Sequence, residues 1–213
     1  MKKAMRVLVT DAFDRKALAG VRFLGRAGCV VGTTGPKRTD QCFYSKFVSQ
    51  AVVSPNPAKD GDAWADFLLD FLADNHYDAL LPMSDYTTLT LSRREKEFQR
   101  VTNLCVPPWE VITVARDKPR VAAIAASLGI PVPAAWQPAT MEEVRELSKT
   151  LCYPVVVKYK RGTGAIGCRY AHSPGELIEH FQTEVHGKDL VFDDTFPMIQ
   201  AVSYTHLTLP TKR

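Results

Sequence analysis

The stretch VVVKYKRGTGAIG places Lys158 at the end of an apolar run, directly before three closely spaced glycines, Gly162, Gly164 and Gly167. By the two-residue period of a strand, Val156 and Lys158 share one face, so the ammonium is expected to emerge from a buried surface as a fixed attractor for an anion. The glycines would let backbone N–H groups close over phosphate oxygens. This is a nucleotide-phosphate grip in outline, although the same residues fit a glycine-rich hairpin beside a surface lysine. A Walker-type loop is excluded, because no Gly-Lys-Ser/Thr opens a helix.

Other candidate groups have less support. Asp85 follows the strand-like run DALLP, where a carboxyl-end crevice could use it on a substrate, and it equally fits a helix-start acid. Asp193 and Asp194 read as a solvated loop. His76, His172, His180 and His186 lack metal-ligand spacing and read as surface or capping residues. Cys29, Cys42, Cys105, Cys152 and Cys168 are odd in number and form no CxxC pair, so small buried thiols are expected rather than disulfides or a zinc knuckle.

The elements that must hold these groups change character partway along the chain. Up to about residue 113, short apolar runs alternate with helical patterns. Strands are expected at Met5–Val9, Cys29–Thr33, Ala51–Val53, Asp78–Pro82 and Val101–Val106, with a helix over Asp11–Gly28 and another over Ser84–Phe98. Trp64, Phe67, Leu68, Phe71 and Leu72 recur with the period of an amphipathic helix. Alternation of this kind predicts a doubly wound parallel sheet, which binds ligands at the carboxyl ends of its strands, around Thr10–Arg15, Thr33–Lys37 and Pro82–Asp85. The first strand-to-helix turn reads TDAFDR and lacks GxGxxG, which argues against a dinucleotide and so against a Rossmann-type oxidoreductase.

From Val114 onward an α+β unit is expected. Asp117 can cap a helix with Val121, Ile124, Ala125 and Leu128 on one face. Thr140 with Glu143, and Ser173 with Glu176, form capping-box patterns for two more helices. Strands are expected at Tyr153–Tyr159, Cys168–Ala171 and from Phe196 to Gln200.

In order and spacing, RVLVTDA, VRFLGRAG, DALLPMSD, ARDKPRVAAIAASLGIPVP and YPVVVKYKRGTGAIGCRYAHSPGEL resemble the ATP-grasp superfamily, in particular its carbamoyl phosphate synthase and carboxylate-amine ligase branch. The resemblance spans almost all of residues 5 to 200. It implies a Rossmann-like preceding domain over 1–113 and an incomplete α+β ATP-grasp first lobe over 114–200, with the second lobe missing. It implies ATP-binding roles for Lys118, Lys158, Gly162, Thr163, Gly164 and Gly167. Lys118 alone would read as a solvated first-turn lysine. Tyr159 stands where the family often has proline, and Ala165 where a second glycine is common. The implied cofactors are ATP and Mg²⁺, with the metal ligands and adenine hinge expected beyond Gln200. The implied parent reaction activates a carboxylate or bicarbonate as an acyl phosphate for attack by an amine or ammonia. No catalytic residue is assigned, and the fragment itself is expected to be inactive. A non-catalytic nucleotide-binding or regulatory module is the alternative.

The end of the chain, AVSYTHLTLPTKR, departs from that pattern. Residues Val202 to Thr211 match the conceptual translation of a transposon-end sequencing adapter, so residues 201–213 are expected to be a non-native tail. The chain carries 27 basic and 23 acidic residues, a net charge of +4, of which Lys212 and Arg213 supply half. No basic run with interleaved aromatics suggests nucleic acid, and no apolar run suggests a membrane span or signal peptide. A small-molecule substrate and a cytoplasmic location are expected. The sequence leaves the oligomeric state open.

Overall fold

Arg6–Val9 forms β1, and the alternation of its side chains explains how the first unit is built. Leu8 packs on one face of the sheet with Trp64, Leu68, Leu72, Tyr77, Leu80, Leu91 and Phe98. Val7 and Val9 pack on the other with Ala17, Val21, Val31 and Cys42. A strand buried on both faces needs helices on both faces, which a parallel sheet with crossover helices provides. The computed structural model describes residues 3–161, 167–184 and 196–202. Gly162, Thr163, Gly164, Asp193, Asp194, His186 and the tail from residue 203 lie outside them.

The first unit covers residues 1–112. After β1 come α1 (Arg15–Arg26), β2 (Val30–Gly35), a 3-10 turn (Gln41–Tyr44), β3 (Val48–Val53), α2 (Gly61–Asp74), β4 (Ala79–Leu81), α3 (Asp85–Arg93), α4 (Glu95–Phe98) and β5 (Asn103–Leu104). The five strands are parallel in the order β3-β2-β1-β4-β5. This is the doubly wound sheet expected from the sequence. In α2 the predicted stripe is in place, with Trp64, Leu68 and Leu72 buried.

Three local expectations need correction. The helix expected from Asp11 starts at Arg15, because Asp14 is the N-cap, accepting from the Lys16 N–H at 2.8 Å, while Asp11 has φ +60°. The helix expected over 84–98 is two helices, interrupted at Arg94. Of the five cysteines only Cys42 is buried; Cys29 is half-buried, and Cys105, Cys152 and Cys168 are exposed. Among the described residues, no helix is long and apolar enough to cross a membrane.

The second unit covers residues 113–213. After α5 (Trp109–Arg116), which spans the division, it comprises α6 (Lys118–Ser127), β6 (Ala135–Trp136), α7 (Met141–Ser148), β7 (Val155–Lys158), β8 (Arg169–Ala171), α8 (Pro174–Glu184) and β9 (Met198–Ala201). The strands form a separate antiparallel sheet in the order β6-β9-β7-β8. β6 lies within a segment that reads as a proline-rich connection. Its two residues are too few to carry a period and become a strand by pairing with β9. Val155, Val157, Ala171 and Ile199 on one face of the sheet pack with Val144 of α7 and with Leu177 and Phe181 of α8.

The two capping boxes form in modified geometry. Thr140 and Ser173 accept from the N–H groups of Glu143 and Glu176, as the pattern requires. The glutamates reach one residue further back, to the N–H groups of Ala139 (2.8 Å) and His172 (2.9 Å). α6 also forms as expected, with its apolar residues uncovered: Val121 is 43% exposed, Ile124 49% and Leu128 70%, and no residue of the helix is buried.

Candidate functional site

The end of β7 and the start of α6 meet through polar contacts. Asp117 is the N-cap of α6, its Oδ1 accepting from the Arg120 N–H at 3.0 Å. Its Oδ2 takes the Arg161 guanidinium at 2.8 Å, and both side chains are largely buried. A charge removed from water to this degree requires such a pairing. Lys118, the first residue of α6, then meets the chain leaving β7. Its backbone N–H donates to the Lys160 carbonyl at 3.1 Å, and its Nζ donates to the Tyr159 carbonyl at 3.1 Å. The placement is therefore an ammonium anchored on backbone carbonyls beside β7 rather than a solvated first-turn lysine.

Lys158 is the last residue of β7. Val156 and Lys158 do share a face, but it is the less buried one, since Val155 and Val157 supply the core side. Gln200 lies on the same face of neighbouring β9, directly opposite Val156 and diagonal to Lys158. The Lys158 ammonium donates to the Gln200 side-chain carbonyl. A neutral acceptor fixes the ammonium without cancelling its charge.

Gly167 marks the return of the chain toward β8 and has φ +71°, a conformation that favours glycine. A Cβ there would run into the Tyr159 ring. The bulk at position 159, where the resembled family often has proline, thus occupies space that Gly167 leaves open. Among the residues proposed from sequence, Lys118, Lys158 and Gly167 come together around residues 158–161. Gly162, Thr163 and Gly164 are outside the described residues.

Two members of this cluster were not anticipated. Asp117 reads only as a helix cap, and nothing local links it to Arg161, 44 positions away. Gln200 reads only as the end of a strand. Lys118, Lys158 and Arg161 place three basic side chains around the end of β7.

The carboxyl edge of the first sheet is arranged differently. Asp11, at the end of β1, is 2% exposed, and its carboxylate accepts from the hydroxyls of Thr10 (2.5 Å), Ser84 (2.9 Å) and Thr87 (2.7 Å) and from the Met83 N–H (3.0 Å). β1 and β4 are the strands between which a doubly wound sheet changes direction, the place where such folds open a ligand crevice. Here the Asp11 carboxylate engages the Met83 N–H and the Ser84 and Thr87 hydroxyls at the start of α3. Asp85 stands in the first turn of α3, beside the Ser84 cap.

Among the described residues, no group of three or more His, Cys, Asp or Glu side chains could hold a metal ion.

Residues 117–199 match the sequence profile of the family described as carbamoyl-phosphate synthase L chain, ATP binding domain. No curated protein matches the chain in sequence. The fold is similar to that of the biotin carboxylase domain of Hydrogenobacter thermophilus 2-oxoglutarate carboxylase, solved with MgADP, ADP and bicarbonate, at 20% identity and TM-score 0.67 over 94% of this chain and 44% of that one. It is similar to Campylobacter jejuni biotin carboxylase in a β,γ-ATP complex, at 17% identity and TM-score 0.69 over 94% and 45%. It is also similar to carboxyaminoimidazole ribonucleotide synthase from Aspergillus clavatus, solved with ATP, at 14% identity and TM-score 0.67 over 94% and 48%. The ATP-grasp resemblance read from the sequence thus holds for the fold and for the profile of the second unit. The chain spans just under half the length of the solved chains it matches.

Proposed function

We propose that the second unit is a nucleotide-phosphate-binding lobe of an ATP-dependent, ATP-grasp-type ligase. The observation that carries this reading is the convergence of Lys118 and Lys158, 40 positions apart in sequence, at the end of β7: the Lys118 ammonium rests on the carbonyl of the residue that follows Lys158. Two ammonium groups held this way can neutralise the oxygens of a triphosphate, and phosphate oxygens are stronger acceptors than the carbonyl and amide oxygens that hold them here.

The similar proteins support the rest of the reading. One was solved with MgADP and bicarbonate, another with ATP, and the profile match is to an ATP-binding domain. The parent enzyme would activate a carboxylate or bicarbonate with ATP as an acyl phosphate and pass it to an amine or ammonia. The magnesium that such a reaction uses would be held outside the described residues. The 213-residue chain would bind nucleotide weakly and would not turn over. Asp85 remains a substrate-crevice candidate.

The runner-up from another class, a nicotinamide-dependent oxidoreductase, has little support. The first turn lacks the glycine fingerprint.

Calorimetric titration of the chain with ATP tests the binding. Saturable binding that tripolyphosphate competes away is expected, and no binding at millimolar ATP would overturn the reading. An ADP-release assay on a protein that contains this chain together with the remaining length of the similar enzymes separates a ligase from a non-catalytic nucleotide-binding module.

A further inference from the structure

The two lysines are carried by separate elements, and the Asp117 side chain is among the contacts that tie those elements together. We infer that Asp117 is a positioning residue of the phosphate site, its single carboxylate setting the spacing between Lys118 and Lys158. This rests on the phosphate-binding reading above.

Oδ1 of Asp117 accepts from the Arg120 N–H and so fixes the first turn of α6, the turn that presents Lys118. Oδ2 pairs with Arg161, three residues after Lys158 on the chain leaving β7. The carboxylate is nearly enclosed, with 9% of its side chain exposed, so the pair is shielded from competing water and salt. α6 has no buried residue, so its placement relies on polar contacts of this kind. The Lys118 N–H to the Lys160 carbonyl and the Lys118 ammonium to the Tyr159 carbonyl run between the same two segments.

The chemistry of capping separates the two tasks of Asp117. Asparagine caps helices about as well as aspartate, so Asp117→Asn keeps the acceptor for the Arg120 N–H while removing the charge that holds Arg161. A tripolyphosphate long enough to touch both lysines should notice a change in their spacing. Inorganic phosphate, held by one lysine at a time, should notice it little.

The test is calorimetric titration of the full 213-residue chain with sodium tripolyphosphate and, separately, with sodium phosphate. The expected result is that Asp117→Asn weakens tripolyphosphate binding about tenfold while changing phosphate binding less than about twofold. Arg161→Gln should do the same, and the double variant should be no weaker than either single one, because the two residues act as a unit. Asp117→Ala should add a loss of thermal stability through the lost cap. An equal loss for both probes in Asp117→Asn, or independent effects of the two substitutions in the double variant, would overturn the positioning role. A wild-type chain that binds neither probe would overturn the phosphate reading itself, an outcome distinct from the other two.

Discussion

Asp11 and Thr87, 76 positions apart, are joined by a buried hydrogen bond of 2.7 Å that pins the end of β1 to the first turn of α3. The same carboxylate takes the Ser84 hydroxyl, which is also the N-cap of that helix, so the helix start is held by an anion belonging to the protein.

Asp11→Ala should therefore destabilise the first unit strongly. It removes the buried acceptor shared by four donors and places alanine at φ +60°, for an expected loss of about 3 kcal/mol. Urea unfolding followed by the fluorescence of buried Trp64 measures it. A change below about 0.5 kcal/mol would show that the cluster is dispensable.

Lys158→Ala should reduce ATP affinity of the chain by about tenfold or more, with Lys158→Arg recovering only part of it because a planar guanidinium does not replace a point charge. Gln200→Glu should also weaken binding, since a carboxylate diagonal to Lys158, in place of the amide that now accepts from it, would neutralise the charge that the amide leaves available. Equal affinity in wild type and Gln200→Glu would mean that Lys158 does not meet the phosphates.

Asp78 gives a pH prediction. The Arg6 N–H, donating to its carboxylate at 2.7 Å, and then the His76 side chain hold its pKa below the ordinary 3.8. A depressed carboxylate contributes stability that is complete above its unfolded value and is lost as the pH falls through the folded one. Asp78→Asn should accordingly be less stable than wild type at neutral pH, with the gap closing as the pH drops below 3.8. A gap that persists unchanged at pH 2.5 would refute the assignment.

Thiol reactivity should follow burial. Burial first, and then the charges of Asp40 and Asp14, push the Cys42 thiol up to about 11, so at pH 8 it carries almost no thiolate. With a chromogenic disulfide reagent, Cys105, Cys152 and Cys168 should react first, Cys29 more slowly, and Cys42 only on unfolding. Early modification of Cys42, located by peptide mapping, would contradict the packing of β1 against the 3-10 turn.

Much of this architecture can be read from the residues. The stripe from Trp64 to Leu72, the cap at Asp117 and the apolar run into Lys158 each state their role within a few positions, because the periods of helix and strand are local. Gly28 ends α1 with φ +84°, as its place after the helical pattern suggests. The two-residue strand β6, the link from Asp117 to Arg161 and the amide of Gln200 on Lys158 are set by pairing across 42 or more positions, for which no local period exists. The face of Lys158 could be assigned relative to Val156, but which face is buried depends on where α7 and α8 pack.

The exposed α6 has a consequence for hydrogen exchange. With Val121, Ile124 and Leu128 open to water and no residue in a core, the helix can unzip without breaking the packing around Val155, Val157 and Phe181. Its amide protons should exchange by a local route, well ahead of those in β7 and β9. Because Lys118 begins that helix, an anion gripping it would stabilise the closed form in proportion to its own binding free energy. The slowing of exchange along 118–127 would then report occupancy at a distance from the ligand, with the apolar side of the helix still wet.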